Sequence, residues 1–291
     1  MSEQKIVVLG SAAAEGIPAI FCDCDTCRAA WENGGKDFRL RTSYQLGEFV
    51  RVDFGPDAMV QEMRYRLHSE KLRHIIVTHS HEDHFDTTLF NYRKKCFSKV
   101  PPDNTLNIYG GAGVVRKINQ SAWNSGKNIG FHGDFSCLQM NVHELYPFEA
   151  VELPDVDMTV YPLKANHMAQ IFTEEPMIYI IRWGEKHLMI ANDTGYFCEE
   201  DWVYIAALKI RFDVVITDCT GGILDARDGH MSGKFVLATK TRLEEMGCVD
   251  KNTQYFINHF SHNGRLTHAE LEAHYNPHGI QVGYDGLEIE Y

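Results

Sequence analysis

The sequence predicts a layered α/β protein, and three features carry that expectation. Strand-like and helix-like stretches alternate along the chain, polar groups able to hold metals fall at the ends of strand-like stretches, and turn signals recur without any linker to divide them. The run Ile6-Val7-Val8-Leu9, closed by Gly10, reads as a strand, as does Phe49-Val50-Arg51-Val52-Asp53 before Phe54-Gly55-Pro56. Residues 58–72 place apolar side chains at helical spacing, and residues 74–78 return to a β-branched strand. In the second half, residues 158–163 form a strand. Residues 177–182 and 187–191 then flank Trp183-Gly184-Glu185-Lys186 as a hairpin. Residues 199–209, 213–217, 232–246 and 254–258 follow as helix, strand, helix and strand. With no repeat, low-complexity run or Pro/Ser-rich linker, residues 1–291 read as one domain.

A hydrophobic content of 44% is enough for a substantial core. The longest apolar stretches are strand-sized, far below the roughly 20 residues that span a bilayer, so no membrane partner is expected. The amino terminus lacks the basic, apolar and small-residue pattern of a secretory leader, which makes a cytoplasmic location the expectation. Lys plus Arg number 28 against 40 Asp plus Glu, and the net charge of −12 repels polyanions. A small-molecule substrate is therefore favoured over a long nucleic acid, and a homodimer is left open. Of eight cysteines, Cys96, Cys137, Cys198, Cys219 and Cys248 are scattered, and most of these are expected to be reduced core thiols. Cys22, Cys24 and Cys27 crowd together at a metal-binding spacing.

The most informative segment is Thr78-His79-Ser80-His81-Glu82-Asp83-His84, which sets three imidazoles and the Asp83 carboxylate directly after a strand. Neutral imidazole and carboxylate suit zinc, manganese or iron. The alternation lets His79 and His81 converge on one ion while Asp83 and His84 turn toward a second. This HxHxDH pattern resembles the signature of the metallo-β-lactamase superfamily. The resemblance implies an αββα sandwich of two mixed sheets flanked by helices, with metals at one edge. It further implies that Asp53 supports the metal-binding loop, that His167 is the third histidine of the first metal, and that Asp193 bridges the two ions. His259 then completes the second metal with Asp83, His84 and Asp193.

Neighbouring thiols in Cys22-Asp23-Cys24-Asp25-Thr26-Cys27 lie too close for good disulfide geometry, and three thiolates call for a fourth ligand. His262, three residues beyond His259, would complete a Cys₃His site of the kind that holds structural zinc. Here the chain resembles the branch that contains phosphoribosyl 1,2-cyclic phosphate phosphodiesterase, an accessory enzyme of the carbon–phosphorus lyase pathway, and the pyrroloquinoline quinone biosynthesis B protein. In that branch CxCxxC and a late HxxH share a structural zinc. The ending Val282-Gly283-Tyr284-Asp285-Gly286-Leu287-Glu288-Ile289 is similar to that of the cyclic phosphodiesterase, whereas residues 86–155 match nothing assignable and are a place for substrate choice. His230, between a strand and a helix, aligns with a histidine used beside the phosphate, as general acid or as phosphate-oxygen stabiliser. Asp218 is read as a supporting group or a plain strand end. His68, His74, His143, His187, His268, His274 and His278 are read as surface or packing residues.

The resemblance thus implies a metal-dependent phosphodiesterase that opens a small cyclic phosphate with a hydroxide held by two divalent metals, manganese or zinc with iron not excluded, alongside one structural zinc. Asp83, Asp193 and His230 are its candidate catalytic residues. The alternatives are an ester, lactone, thioester or amide hydrolase on the same fold, and a non-hydrolytic partner in cofactor biosynthesis.

Overall fold

The computed structural model describes residues 4–124, 134–168 and 174–290. Part of the unassigned stretch, residues 125–133, therefore lies outside the described residues. One sheet is built from β1 (Lys5–Gly10), β2 (Ser43–Leu46), β3 (Val50–Val52), β4 (His74–Ile76), β5 (Leu106–Gly110), β6 (Met140–Glu144) and, from the far end of the chain, β14 (Glu288–Glu290). The other contains β7 (Val151–Leu153), β8 (Met158–Lys164), β9 (Met177–Trp183), β10 (Lys186–Ala191), β11 (Val214–Asp218), β12 (Gln254–Asn258) and β13 (Gln281–Val282). The first runs β14-β1-β2-β3-β4-β5-β6, antiparallel up to β3 and parallel beyond it. The second runs β13-β12-β11-β10-β9-β8-β7, parallel up to β10 and antiparallel beyond it.

Period-two alternation sorts the strand side chains into layers. Ile76 and Tyr109 face the space between the sheets, where Tyr179, Ile181 and Ile190 meet them. Ile75, Val77 and Ile108 face outward instead, against Val114 and Ile118 of α3 (Ala112–Asn124). On the second sheet Ile178, Ile180 and Val215 face outward. They are covered by Trp202 and Ile205 of α4 (Glu199–Leu208), Val236 and Leu243 of α5 (Lys234–Glu245), and Leu271 and Tyr275 of α6 (His268–Tyr275). Burying each such side chain is stabilising by about 1.5–3 kcal/mol. The result is the αββα sandwich that the resemblance implied.

Most anticipated elements recur within a residue or two, but the helix expected over 58–72 is shorter. It closes as Ala58–Tyr65, because Arg66 turns left-handed at φ 51°. Met59, Val60 and Met63 are exposed, so part of the apolar spacing there marks surface rather than core. Among the scattered cysteines Cys219 and Cys248 are buried and Cys198 half-buried, whereas Cys96 and Cys137 are exposed and are not core thiols. His74 and His268 are buried packing residues. No helix among the described residues is long and apolar enough to cross a membrane.

Candidate functional site

The parallel strands deliver the polar groups, as expected where carboxyl ends of such strands gather on one edge. Asp53 follows β3, the 78–84 loop follows β4, Asp193 lies just past β10, Asp218 ends β11, and His259 follows β12. Three of these residues leave their strands in the left-handed region, Asp53 at φ 60°, Asp193 at φ 54° and His259 at φ 65°. Asp and His enter that region more readily than most residues, yet each instance still costs on the order of 1 kcal/mol and must be held by its surroundings. Close packing sets a further condition: a Cβ on Gly55 would lie 1.9 Å from the Asp83 carbonyl oxygen. Only glycine lets the β3 end approach the histidine loop so closely.

Two groups of four ligand atoms converge at this edge, each within 4.8 Å: His79, His81, His167 and Asp193, and Asp83, His84, Asp193 and His259. In the first, His79 Nε2 and His81 Nδ1 stand 2.8 Å apart, and His167 Nε2 is 3.4 Å from His81 Nδ1. Asp193 Oδ2 is 3.2 Å from His79 Nε2. In the second, His84 Nε2 is 3.1 Å from both Asp83 Oδ2 and Asp193 Oδ2, and His259 Nε2 is 3.8 Å from Asp193 Oδ2. Asp193 is common to both groups.

Hydrogen bonds behind the rings aim the inward nitrogens. His84 Nδ1 donates to Asp53 Oδ2 at 2.6 Å, and Asp53 also accepts from the Thr78 backbone N–H at 2.8 Å. His167 Nδ1 donates to the Gly229 carbonyl at 3.0 Å. His259 Nδ1 donates at 2.8 Å to Thr220 Oγ1, whose own hydroxyl donates to the His259 carbonyl at 2.9 Å. Thr220 carried no sequence signal beyond its place two residues after a strand-end aspartate.

The inward atoms, in contrast, face only one another and the site's other groups: His84 Nε2, His259 Nε2 and Asp193 Oδ1 are buried and find no hydrogen-bond partner outside the site. Buried polar atoms are otherwise nearly always paired. Acceptors aimed at a common centre are what cations require, so the donor set fits divalent metals. The electrostatics agree. Burial alone would raise the Asp193 carboxyl, but His259, His230, His79 and His84 hold it well below the usual carboxylate range. Burial likewise opposes a charge on His84, yet Asp83 and Asp53 push that imidazole well above its ordinary value. For His79 burial wins, and the ring is pushed down to about 4. The carboxylates thus demand positive charge in a place where water cannot supply it.

His230 stands at the rim, half-exposed, with Nδ1 3.1 Å from Asp193 Oδ1 and 3.2 Å from Thr220 Oγ1. Burial opposes its protonation, but Asp193 and Asp218 outweigh it and push the ring up to about 10. Asp193, Asp218, His230 and His259 also fall within 4.8 Å of one another. Asp218, however, already accepts from the backbone N–H groups of Asp193 at 2.9 Å, Thr220 at 2.9 Å and Met231 at 3.2 Å. It is a hub that fixes three site loops, not a bare strand end.

Cys22, Cys24, Cys27 and His262 form a separate group within 4.8 Å. His262 Nδ1 lies 3.4 Å from both Cys22 Sγ and Cys24 Sγ, and Cys27 sits in the first turn of α1 (Asp25–Asn33). Burial works against a thiolate at Cys24, but the Cys27 backbone N–H and His262 draw its thiol down to about 6. Glu15, which sequence reading passed over, sits 3.4 Å from His262 Nε2 and orients that ring.

Comparison with known proteins is consistent with this geometry. A diphosphatase of the PhnP family superposes with a TM-score of 0.71 at 22% identity, over 99% of this chain and 97% of its own. Zinc-bound PqqB from Methylobacterium extorquens gives 0.71 at 16% identity, over 99% and 100%. An octanoyltransferase of Porphyromonas gingivalis (strain ATCC BAA-308 / W83) is 24% identical over 288 residues, which make up 98% of this chain and 51% of that protein. The chain therefore spans about half the length of the curated relative it matches. The family model of the β-lactamase superfamily domain matches residues 50–245, the span from β3 to the end of α5 that carries the histidine loop, His167, Asp193, Asp218 and His230, and the chain belongs to that superfamily of metallo-hydrolases.

Proposed function

We propose that this hydrolase opens a small cyclic phosphodiester, a ribose or nucleotide cyclic phosphate, using two divalent ions at the buried centre; manganese, zinc and iron all suit the ligands. His79, His81, His167 and Asp193 would hold one ion, and Asp83, His84, His259 and Asp193 the other. Cys22, Cys24, Cys27 and His262 would hold a structural zinc. Such a pair of ions supplies two things a phosphodiester resists losing its bond without, neutralisation of phosphate charge and a water acidified from a pKa of about 15.7 to about 7.

The observation that carries this reading is the setting of His230. Its Nδ1 is engaged by Thr220, Asp193 and Asp218, which leaves Nε2 as the nitrogen available to a substrate at the centre. A ring fixed at Nδ1 would present an Nε2–H outward, the donor that a departing ribose alkoxide needs. Carboxylate hydrogen bonds hold that ring in orientation, and Asp218 ties the orientation to the loop carrying Asp193. The acidic chain with net charge −12 favours a substrate of low charge over a polynucleotide.

A substrate panel tests the proposal. Metal-replete protein is expected to hydrolyse ribose or nucleotide cyclic phosphates faster than linear diesters, carboxylic esters, lactones or thioesters. Preferential turnover of an acyl substrate would overturn it, and no turnover of any substrate would favour the non-hydrolytic reading. The acyl alternative is included because the chain is similar to half the length of a protein named an octanoyltransferase, so octanoyl and other acyl thioesters and amides belong in the panel.

A further inference from the structure

Ser80, the residue between the two leading histidines, is held from outside the metal centre at all of its polar groups. Its backbone N–H donates to Glu174 Oε1 at 2.8 Å, and its hydroxyl donates to Glu174 Oε2. Its carbonyl accepts from Lys117 Nζ at 2.6 Å, and the same ammonium lies 3.7 Å from Glu82 Oε1. Ser80 and Glu174 are both buried, so a carboxylate has been taken out of water to grip one serine. Neither Glu174 nor Lys117 belongs to any ligand group.

The surrounding chain is shaped for this grip. A Cβ on Gly113 would lie 2.1 Å from Glu174 Cδ and 2.2 Å from Glu174 Oε2, so the carboxylate occupies space that only a glycine leaves free. Gly113 and Lys117 are one turn apart on α3 and therefore present themselves to the loop together. On the opposite side Asp53 holds Thr78 and His84. The histidine loop is thus fixed at its two ends by Asp53 and at its middle by Glu174 and Lys117.

We infer that Glu174, braced by Lys117, is a positioning residue that sets the directions of His79 and His81 through Ser80, and so governs metal affinity at the His79/His81/His167 group more than at the Asp83/His84/His259 group. The two imidazoles leave the backbone on either side of Ser80. A shift of that residue swings both rings, whereas His84 is aimed separately by Asp53. The inference rests on the two-ion reading of the centre but not on the identity of the substrate.

Cobalt(II) titration of chelator-stripped protein tests it without reference to turnover. Two binding steps at the histidine and carboxylate centre are read by visible absorption bands, and the thiolate–cobalt charge-transfer band reports the Cys site independently. Glu174→Ala is expected to weaken one of the two steps by about 10- to 100-fold, the range typical for loss of an orienting partner, and to leave the thiolate band intact. Glu174→Gln, which can still accept the Ser80 N–H, should recover most of the affinity. His259→Ala should weaken the other step, and the double variant should lose both. If Glu174→Ala does not fold, Gly113→Ala serves instead, because its methyl displaces the carboxylate without removing it, and the same single step should weaken. Wild-type affinities in these variants would overturn the clamp alone. Equal weakening of both steps and of the thiolate site, with a lowered Tm, would reduce Glu174 to a general stability role and overturn the inference. Wild-type protein that takes up no cobalt beyond the thiolate site would overturn the two-ion reading and the clamp together.

Discussion

The two ligand clusters are built on opposite principles, although only Phe260 and Ser261 separate His259 of one from His262 of the other. The histidine and carboxylate centre collects its groups from the ends of strands in both sheets, and His79 and Asp193 are 1% and 3% exposed. Its rings are aimed by Asp53, Thr220 and Gly229 before any ion arrives. The thiolate cluster instead gathers three cysteines from one short segment, beside a Phe21 that is 98% exposed, and borrows a single residue from the other end of the chain. A site whose ligands are aimed in advance is suited to chemistry, whereas a cluster that ties one short segment to a distant loop is suited to holding the fold together.

Disabling the shared carboxylate should give the largest effect. Asp193→Asn is expected to reduce turnover on the order of 1000-fold or more, beyond the roughly 10- to 100-fold that an orienting partner is worth. Metal analysis should find the centre depleted while the thiolate site stays filled. Retention of all metals and of activity would show that Asp193 is not shared between two ions. His230→Ala comes next. It should retain every metal yet lose on the order of 100-fold in turnover of a cyclic phosphodiester with a poor leaving group. Nitrophenolate leaves without a proton, so hydrolysis of a nitrophenyl phosphodiester should suffer less. Equal losses on both substrates would reassign His230 to phosphate-oxygen stabilisation, and no loss on either would remove it from the chemistry.

These differences were unevenly legible in the sequence. β4 is dense in β-branched residues, β12 joins two aromatic residues to an isoleucine, and HxHxDH is compact, so the loop, β4 and β12 could be placed from residues alone. His167, Asp193 and His259 are single residues in ordinary turns, and only their order after strands distinguished them. The strand-and-helix stretch from β5 to β7 carries no motif that ties it to the site, and it stayed unread. Lys117 lies within it, and Glu174 lies far along the chain. Their partnership with Ser80 is a contact between segments remote in sequence, which no local spacing reveals. Glu15 escaped for the same reason, since it meets His262 only through the fold.

A smaller effect on activity is expected at the thiolate cluster. Cys24→Ser should remove one zinc and lower stability by about 3 kcal/mol, which for a chain of this size is a fall of about 6 °C in Tm. The turnover of the molecules that remain folded should stay within about threefold of wild type. Elemental analysis, a thermal melt and a rate measured well below Tm separate these quantities. A variant that stays stable with its full metal content would refute the structural-zinc assignment, and a collapse of turnover without unfolding would show that the 259–262 segment couples the two sites.

The smallest effect belongs to a histidine in neither cluster, and it sharpens the comparison by reversing a sign. His84 and His230 of the site face carboxylates that raise them, so the fold favours positive charge on those two rings. His268 is buried with Nδ1 2.9 Å from Arg39 Nη2, and burial first, then that guanidinium, pushes it down to about 4 against the contrary pull of Glu272. Its folded pKa lies below the ordinary value of about 6.5, so the folded state binds the proton less readily than the unfolded chain does. The stability it contributes is complete above pH 6.5 and is lost as pH falls toward about 4. His268→Gln, which can still accept from Arg39 but cannot titrate, should be less acid-sensitive than wild type by about 1–2 kcal/mol at pH 5. Any metal that acid releases from either cluster is lost by both proteins alike and cancels in their difference. If their melting temperatures fall in parallel between pH 7 and pH 5, the Arg39–His268 contact has no part in acid stability.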